Sequence, residues 1–339
     1  MPQSADPRRD ALERWLRAQL RSASLRIVPA SEDASFRRYF RVTLDDDRSY
    51  IAMDAPPERE PCAPFVRVAG LLRAAGVNAP EIHAQDLAQG FLLLTDLGTQ
   101  TYLDVLRTAD ADTVRALFGD AIEALVRWQS ASRPGALPPY DAARLGEEMA
   151  LFPQWYVGRH LGVELTPEQA AVLERVFGLL IASATAQPQV FVHRDYMPRN
   201  LMRSDPNPGV LDFQDAVIGP ISYDVVSLLR DAFISWEEEQ VLDWSVRYWE
   251  RARAAGLPVD PDFAEFFRAF EWMGLQRHLK VLGIFARLTH RDGKPKYVED
   301  TPRFLRYARA AATRYAPLAP LARLLQQLEG QAPRSVLSF

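Results

Sequence analysis

The segment 192–215, VHRDYMPRNLMRSDPNPGVLDFQD, constrains the fold of this 339-residue chain more than any other stretch. It holds four aspartates with a histidine and two asparagines, and short apolar runs flank its polar part. Prolines interrupt it, which excludes one continuous helix. The pattern indicates strand-and-loop pieces that bring Asp195, Asn200 and Asp212 together.

These residue types suit metal-dependent phosphoryl transfer. Asp195 offers a carboxylate to an acceptor, while Asn200 and Asp212 offer the oxygen ligands that Mg²⁺ prefers. Taken singly, an aspartate near proline or asparagine is more often a turn cap. The chemical interpretation therefore depends on the combination of Asp195, Asn200 and Asp212 and not on any one of them.

H-R-D with Asn five residues after the Asp, followed by L-D-F, resembles the catalytic elements of protein kinases. HRDYMPRN and LDFQDAVIGPISYDVVSLLRD are similar to the aminoglycoside phosphotransferase and choline kinase family of small-molecule kinases. The resemblance implies that Asp195 is catalytic and that Asn200 and Asp212 hold Mg²⁺ against the ATP phosphates. It also implies that His193 and Asp224 support the loop; a general-base role for His193 is the alternative.

Hydrophobic periodicity gives a layout that fits this family. The pattern predicts a helix at 8–22, short strands over 25–30, 38–44 and the SYIAMDAP stretch, a helix at 64–76 and a buried strand in FLLLTDLG (91–98). From Thr101 onward helical patterns dominate, at 101–107, 111–130, 141–161, 166–186, 222–232, 236–255, 261–287 and 302–328. We therefore expect an α+β, bilobal protein-kinase-like fold. A small β-rich nucleotide-binding N-lobe with a leading helix covers 1–97, and a large, mainly helical C-lobe with the catalytic loop and acceptor site covers 98–339.

The small lobe departs from the usual kinase pattern in two ways. The loop SEDASFRR contains no glycine, and Met53 occupies the position of the strand lysine. No lysine precedes Lys280 in the chain, so no nearby lysine substitutes. We expect the small residues Ala34 and Ser35 to let backbone N–H groups approach phosphate.

Two explanations of the missing lysine compete. An arginine of the 37–41 run (Arg37, Arg38 or Arg41) supplies the cation, or the protein is a non-catalytic nucleotide binder. The complete set of Asp195, Asn200 and Asp212 favours an enzyme. Arg38 and Arg41 are accordingly included in the predicted cofactor site.

FLLLTDLG resembles the hinge that joins kinase lobes. Backbone groups of Thr95, Asp96 and Leu97 are then expected at the adenine edge, whereas a plain strand-to-helix turn is the alternative. Glu60 is interpreted as a solvated carboxylate near a helix start, with partnership to a phosphate-binding cation as the alternative.

DASFRRYFRV and YIAMDAPPE resemble the branch of this family that phosphorylates N-acetylmuramate and N-acetylglucosamine at the 1-hydroxyl in bacterial cell-wall recycling. One independent feature bears on the acceptor. Residues 272–296 hold six basic residues against one acidic residue, a formal charge of +5, which favours an anionic acceptor. The tentative acceptor site is Arg199, Trp272, Arg277 and His278. A solvated basic face and a core role for Trp272 are the alternatives.

Composition limits the other function classes. A net charge of −4 and a pI near 5.8 argue against a nucleic-acid partner. We see no signal-peptide pattern and no apolar run that suggests a membrane partner, and the single Cys62 excludes an intrachain disulfide. The expectation is a cytoplasmic monomer that uses ATP and Mg²⁺ on a small amino sugar. A kinase of another acceptor, such as an amino alcohol or aminoglycoside, and an inactive nucleotide-binding scaffold remain as alternatives.

Overall fold

The computed structural model describes residues 6–31 and 36–331, and its chain contacts divide into two compact units. The first unit comprises the described residues up to Ala124 together with Arg199–Asp215. The second comprises Leu125–Pro198 together with the described residues from Ala216 onward. The predicted lobes, 1–97 and 98–339, follow chain order, whereas these units follow packing, so residues 199–215 join the N-terminal part.

The described residues form nine strands and eleven α-helices. The strands are β1 (Arg26–Ser31), β2 (Arg38–Thr43), β3 (Ser49–Asp54), β4 (Ile82–Asp86), β5 (Phe91–Thr95), β6 (Gln189–Val192), β7 (Leu201–Met202), β8 (Gly209–Val210) and β9 (Val217–Pro220). The helices are α1 (Pro7–Leu20), α2 (Ala63–Ala74), α3 (Tyr102–Leu106), α4 (Ala111–Ser130), α5 (Ala142–Met149), α6 (Pro167–Ala186), α7 (Tyr223–Leu229), α8 (Glu238–Ala254), α9 (Phe263–His290), α10 (Thr301–Arg314) and α11 (Ala319–Gln331).

The first unit is built on a five-stranded antiparallel sheet of order β1-β2-β3-β5-β4. Side chains alternate between its faces. Phe40 and Val42 of β2 are buried with the leucines of α1 on one face. Tyr39 and Arg41, the alternate residues, line a cavity on the other face. This alternation decides which arginines of the 37–41 run can reach that cavity.

The second unit is mainly helical and is organised around α9, whose 28 residues are buried on most sides. Its core includes Leu275, Leu279 and Leu282 of α9 with apolar residues of α5, α6, α10 and α11. A two-stranded antiparallel sheet, β6 with β9, lies in the same unit. Val192, the last residue of β6, is fully buried, which fixes the start of the loop that follows.

The helical predictions agree with the structure except at two places where the α-helical hydrogen-bond pattern is interrupted. The predicted helix 141–161 is α5 followed by a rare π-helical segment, Phe152–His160. Gly283 is required beside this segment, since a Cβ there would lie 2.4 Å from the carbonyl carbon of Leu151. The predicted helix 302–328 is α10 and α11, separated where Pro317 cannot continue the hydrogen-bond ladder.

One helix among the described residues, α6, is long and apolar enough to cross a membrane by length and composition alone. The buried helices of a protein core often pass the same test. Leu173, Val176 and Leu180 of α6 are indeed buried in the core of the second unit.

Candidate active site

The first unit contains a cavity of about 270 Å³. Its walls come from β2, β3 and β5, from the segment after β5, from α2 and from the β7–β8 hairpin. The lining residues are Ala30, Tyr39, Arg41, Ile51, Phe65, Pro80, Leu94, Thr95, Asp96, Leu97, Gly98, Thr99, Thr101, Arg199, Asn200, Met202, Leu211, Asp212 and Phe213. Apolar walls with a few polar groups suit a flat heteroaromatic ring such as a nucleotide base.

The predicted hinge residues Thr95, Asp96 and Leu97 all line this cavity. The Thr95 N–H donates to the carbonyl of Glu81 at 3.0 Å and therefore belongs to the sheet edge. The Asp96 carboxylate accepts from Arg41 Nε at 2.6 Å and from the N–H of Gly98 at 3.0 Å. Asp96 thus fixes the turn after β5, as the alternative interpretation of this segment proposed.

Arg41 lines the cavity but is committed to the same turn. Its Nη2 donates to Asp96 Oδ1 at 3.0 Å and to the Gly98 carbonyl at 2.7 Å. Burial would raise the pKa of Asp96, but the hydrogen bonds from Arg41 and Ser49 hold it below its ordinary value. The Arg41 charge is therefore compensated at the hinge.

Arg38, the other predicted cofactor-binding arginine, is placed on the α1 face of the sheet. Its Nη2 lies 2.5 Å from Asp54 Oδ2, and its Nη1 bonds Asp6 at the start of α1. Asp54 is fully buried and also binds Arg8. Arg38 therefore joins α1 to the sheet. Ala34 and Ser35 lie outside the described residues.

The two predicted metal ligands lie together in the first unit. Asn200 Nδ2 is 3.3 Å from Asp212 Oδ2, and the Leu211 N–H donates to the Asn200 carbonyl at 2.9 Å. Gln214 Nε2 donates to Asp212 Oδ1 at 2.8 Å. Asp212 has a φ of 61°, an uncommon backbone conformation for an aspartate that functional sites often hold.

This pair fits a magnesium ion that shares its coordination with nucleotide phosphates. No group of three or more His, Cys, Asp or Glu suited to a metal is present among the described residues. Mg²⁺ in phosphoryl-transfer sites commonly uses only one or two protein ligands with phosphate oxygens and water. An amide oxygen and a carboxylate on a hairpin return match that limited requirement.

The predicted catalytic loop begins in the second unit, directly after β6. The Asp224 carboxylate accepts hydrogen bonds from the backbone N–H groups of His193, at 2.6 Å, and Arg194, at 3.0 Å. The Asp195 N–H donates to His193 Nδ1 at 3.3 Å. Arg194 has a φ of 79°. The predicted supporting residues, His193 and Asp224, thus contact the backbone that carries Asp195.

Asp195 lies beside cations from α9. Arg277 Nη2 is 3.7 Å from Asp195 Oδ1, and Arg277 Nε donates to Ser227 Oγ at 2.7 Å. The Asp195 side chain is 44% exposed, whereas that of Arg277 is 4% exposed. Partial removal of water by the surrounding protein would raise the pKa of Asp195, but the charges of Arg277, Lys280 and Arg194 outweigh this and lower the pKa. Asp195 is therefore an ionised carboxylate at neutral pH.

A buried carboxylate, Glu148, gathers the neighbouring cations. Arg194 Nη2 lies 2.5 Å and Lys280 Nζ 3.0 Å from its oxygens, and Tyr140 OH donates to it. Burial would raise the pKa of Glu148, but Lys280 and Arg194 lower it. Sequence reasoning missed Glu148 and Tyr140. It counted Lys280 only as one charge of a basic segment. Lysine is rare in this chain, and that rarity was the signal that could have drawn attention to Lys280.

The four tentative acceptor residues have different surroundings within their units. Arg277 contacts Asp195, but Arg199 is exposed and lines the cavity of the first unit. His278 is buried, its ring stacked on Tyr307 at 5.0 Å, and burial holds its pKa well below the ordinary value. Trp272 is half-buried against the core of the second unit, which agrees with the alternative core role.

Comparison with known proteins places this geometry in a family. The sequence model of the "Phosphotransferase enzyme family" matches residues 26–258. An "N-acetylmuramate/N-acetylglucosamine kinase" of Pseudomonas aeruginosa is 58% identical over 302 residues, which cover 89% of this chain and 88% of that protein. A Pseudomonas putida protein of the same name is 55% identical over 306 residues, which cover 90% of this chain and 89% of that protein.

Among solved structures, ADP-bound aminoglycoside phosphotransferase APH(2'')-Ib aligns with a TM-score of 0.56 at 14% identity, covering 88% of this chain and 97% of that one. This likeness confirms the predicted α+β, protein-kinase-like fold, with a small antiparallel sheet in the N-terminal part and a mainly helical C-terminal part. The family also supports nucleotide binding and phosphoryl transfer to a hydroxyl acceptor. The chain therefore belongs to the phosphotransferase enzyme family and is a kinase.

Proposed function

We propose that this kinase transfers the γ-phosphoryl group of ATP to the anomeric 1-hydroxyl of N-acetylmuramate and N-acetylglucosamine in peptidoglycan recycling. The observation that carries the proposal is the Asp195 carboxylate, 3.7 Å from Arg277 Nη2 and in a loop anchored by Asp224. The relatives above, which bear the names of these sugars, support the acceptor class. The proposed setting is the cytoplasm, where the protein acts as a monomer without nucleic-acid or membrane partners.

In the proposed reaction, Asp195 Oδ accepts the proton of the anomeric hydroxyl and orients its oxygen for in-line attack. A bond forms between that oxygen and the γ-phosphorus, and the bond from the γ-phosphorus to the β–γ bridging oxygen breaks. ADP leaves with the electron pair of that bond. Arg277 keeps Asp195 ionised and, through its bond to Ser227, limits where the carboxylate lies.

Asn200 and Asp212 are the proposed ligands of Mg²⁺. A bound ion would supply positive charge that stabilises the transferring phosphoryl group. Gln214 donates a hydrogen bond to Asp212 Oδ1. Together with the positive φ of Asp212, this bond orients the Asp212 carboxylate. In the cavity, the apolar residues Ile51 and Leu94, which are neighbours on β3 and β5, are proposed to lie against one face of the base.

The charge around Asp195 favours an anionic acceptor. Arg194, Arg277 and Lys280 face the two carboxylates Asp195 and Glu148, which leaves one positive charge in excess. Such an excess attracts the lactyl carboxylate of N-acetylmuramate and disfavours a polycationic aminoglycoside. The same excess is compatible with the neutral N-acetylglucosamine.

Phosphorus NMR with Mg-ATP and separate acceptors tests the proposal. The acceptors are N-acetylmuramate, N-acetylglucosamine, glucose, choline and kanamycin, with Asp195→Asn as the matched control. A new sugar 1-phosphate signal from the first two, absent with the control, is expected. A product formed only from choline or kanamycin would retain the kinase and reject the amino sugars. Mg-ATP binding without any turnover would instead favour the inactive scaffold.

A further inference from the structure

The cavity of the first unit lacks the lysine that kinases bring to the nucleotide phosphates. Met53 stands at that lysine's position and is fully buried. It pairs with Tyr39 across β2 and β3 and lies two residues from Ile51, and both of these line the cavity. The strand thus presents an uncharged side chain on the face where phosphate charge has to be balanced. A cation from elsewhere in this unit is needed.

Strand alternation separates the three arginines of the 37–41 run. Arg38 belongs to the α1 face, as described above. Arg37 lies just before β2, and extending the alternation of β2 by one residue places Arg37 on the side of Tyr39 and Arg41, which line the cavity. Arg41 binds Asp96 at the hinge end. Four residues of extended chain separate Arg37 from Arg41, about 13 Å at about 3.3 Å per residue. Arg37 is therefore at the far end of the cavity face from the hinge.

Arg37 has a carboxylate partner of the kind that a strand cation has in kinases. Its Nη2 lies 2.9 Å from Glu60 Oε2, and the two side chains are only 10% and 19% exposed. In protein kinases the corresponding pair joins a strand lysine to a helix glutamate and holds the lysine toward the phosphates. Glu60 occupies the turn just before α2. It is an ion-pair partner, and the preferred interpretation of it as a solvated carboxylate is wrong.

The segment that bears Glu60 is also connected to the proposed metal ligands. Phe65, in the first turns of α2, packs against Phe213 with ring centroids 4.7 Å apart. Phe213 directly follows Asp212, and both aromatic rings line the cavity. The helix that follows the Glu60 turn thus packs against the residue next to the proposed metal ligand Asp212.

We propose that Arg37, held by Glu60, is the phosphate-binding cation of this kinase and takes the place of the missing strand lysine. This inference rests on the proposed binding of ATP in the cavity. Arginine keeps its charge at any working pH and offers several N–H donors, so one edge can bind Glu60 while another reaches a phosphate oxygen. The site would take the polyphosphate part of a nucleotide, and the base would lie at the hinge end.

The test is the affinity of full-length variants for ATP, ADP and adenosine, measured by calorimetry with Mg²⁺. Arg37→Met should weaken ATP and ADP binding at least tenfold, about 1.4 kcal/mol, and leave adenosine binding within twofold. Glu60→Gln should weaken ATP in the same direction by a smaller factor, and Arg37→Lys should restore most of the affinity. Arg48→Met, an exposed arginine in the β2–β3 turn of the same sheet, is the matched control.

Two results would overturn the inference. One is unchanged ATP affinity in Arg37→Met; the other is an equal loss for ATP and adenosine, which indicates damage to the fold. If Arg37→Met does not fold, the Arg37→Lys and Glu60→Gln affinities decide the matter, and wild-type ATP affinity in Glu60→Gln counts against it. Wild-type formation of sugar phosphate is measured alongside, so failure of the proposed acceptor is seen separately from failure of the Arg37 assignment.

Discussion

The two sides of the catalytic loop hold their carboxylates in opposite ways. On the α9 side, the charges of Arg277, Lys280 and Arg194 lower the pKa of the partly exposed Asp195. On the α7 side, Asp224 is fully buried and binds two backbone N–H groups, and burial raises its pKa to about 7. One side thus maintains a charge for chemistry, while the other fixes backbone geometry with a carboxyl group that is close to neutrality.

The difference shows that the role of a carboxylate depends on whether charged side chains or backbone N–H groups stabilise it. Full positive charges several ångströms away keep Asp195 ionised but leave it able to exchange a proton. Backbone dipoles in short contact orient the loop without keeping Asp224 fully charged. Substitutions on the Asp195 side should therefore reduce the catalytic rate, whereas substitutions on the Asp224 side should reduce stability.

The largest expected effect is that of Asp195→Asn. The amide keeps the shape of the side chain but cannot accept the hydroxyl proton, so kcat should fall about a thousandfold, within the range for general bases. ATP affinity should stay close to that of the wild type. Steady-state kinetics and calorimetry measure both quantities. Turnover within tenfold of the wild type would remove Asp195 from the chemistry.

Asp224→Asn should act on stability before chemistry. An asparagine amide has one acceptor oxygen, so one of the two backbone N–H groups loses its partner, at a cost of roughly 1–3 kcal/mol. The pH dependence has a definite sign. Because the folded pKa is raised, the wild-type carboxyl contributes stability that is present at acid pH and lost as the pH rises toward about 7.

Chemical denaturation of Asp224→Asn and wild type at pH 4.5 and pH 8 tests this sign. The destabilisation caused by the substitution should be larger at the lower pH, where the wild-type carboxyl is protonated and stabilising. An equal difference at the two pH values would show that Asp224 does not titrate in this range.

Arg277→Met should give a moderate kinetic effect with a pH signature. Removing the cation raises the pKa of Asp195, so the acid limb of the kcat/KM profile should move to higher pH, and kcat at neutral pH should fall about tenfold, near 1.4 kcal/mol. Arg268→Met, an exposed arginine on the same helix, is the control. A lower rate with an unmoved limb would mean that Arg277 is only structural.

The smallest expected effect is a change of acceptor preference in Lys280→Met. The substitution removes the excess positive charge near Asp195 but leaves Glu148 bound by Arg194 and Tyr140. The ratio of kcat/KM for N-acetylmuramate to that for N-acetylglucosamine should fall a few-fold, under about 1 kcal/mol. Competition between the two sugars in one reaction measures this ratio directly. An unchanged ratio would reject the charge argument for the acceptor.

How much of this was accessible from the sequence depends on the distance along the chain between interacting residues. The β2 and β3 alternation and the position of Asp195 beside a strand end are local patterns, and they were predicted. Strand β4 was not, because it is half-exposed and its IHAQD sequence has only two apolar residues. The ion pair of Glu148 with Lys280 joins residues far apart in sequence, and no local pattern encodes such a contact.

The choice of arginine for the cofactor site also depended on a contact that is distant in sequence, that of β2 with α1. Sequence reasoning selected the 37–41 run, but it chose Arg38 and Arg41 from it because it did not use the parity of the strand. The burial of Phe40 and Val42 against α1 supplies that parity. Phe40 and Val42, the two hydrophobic residues on either side of Arg41, were thus the signal that could have separated Arg38 from Arg41.

The alternation of β2 has a consequence for how this enzyme can vary in length. A single-residue insertion or deletion between Arg38 and Arg41 would move every later side chain of the strand to the opposite face. Arg41 would then lie against α1, and Phe40 or Val42 would enter the cavity. Length changes in this gene segment should therefore be tolerated in pairs or at the Asp45–Asp47 turn, and single-codon changes within the strand should be eliminated by selection.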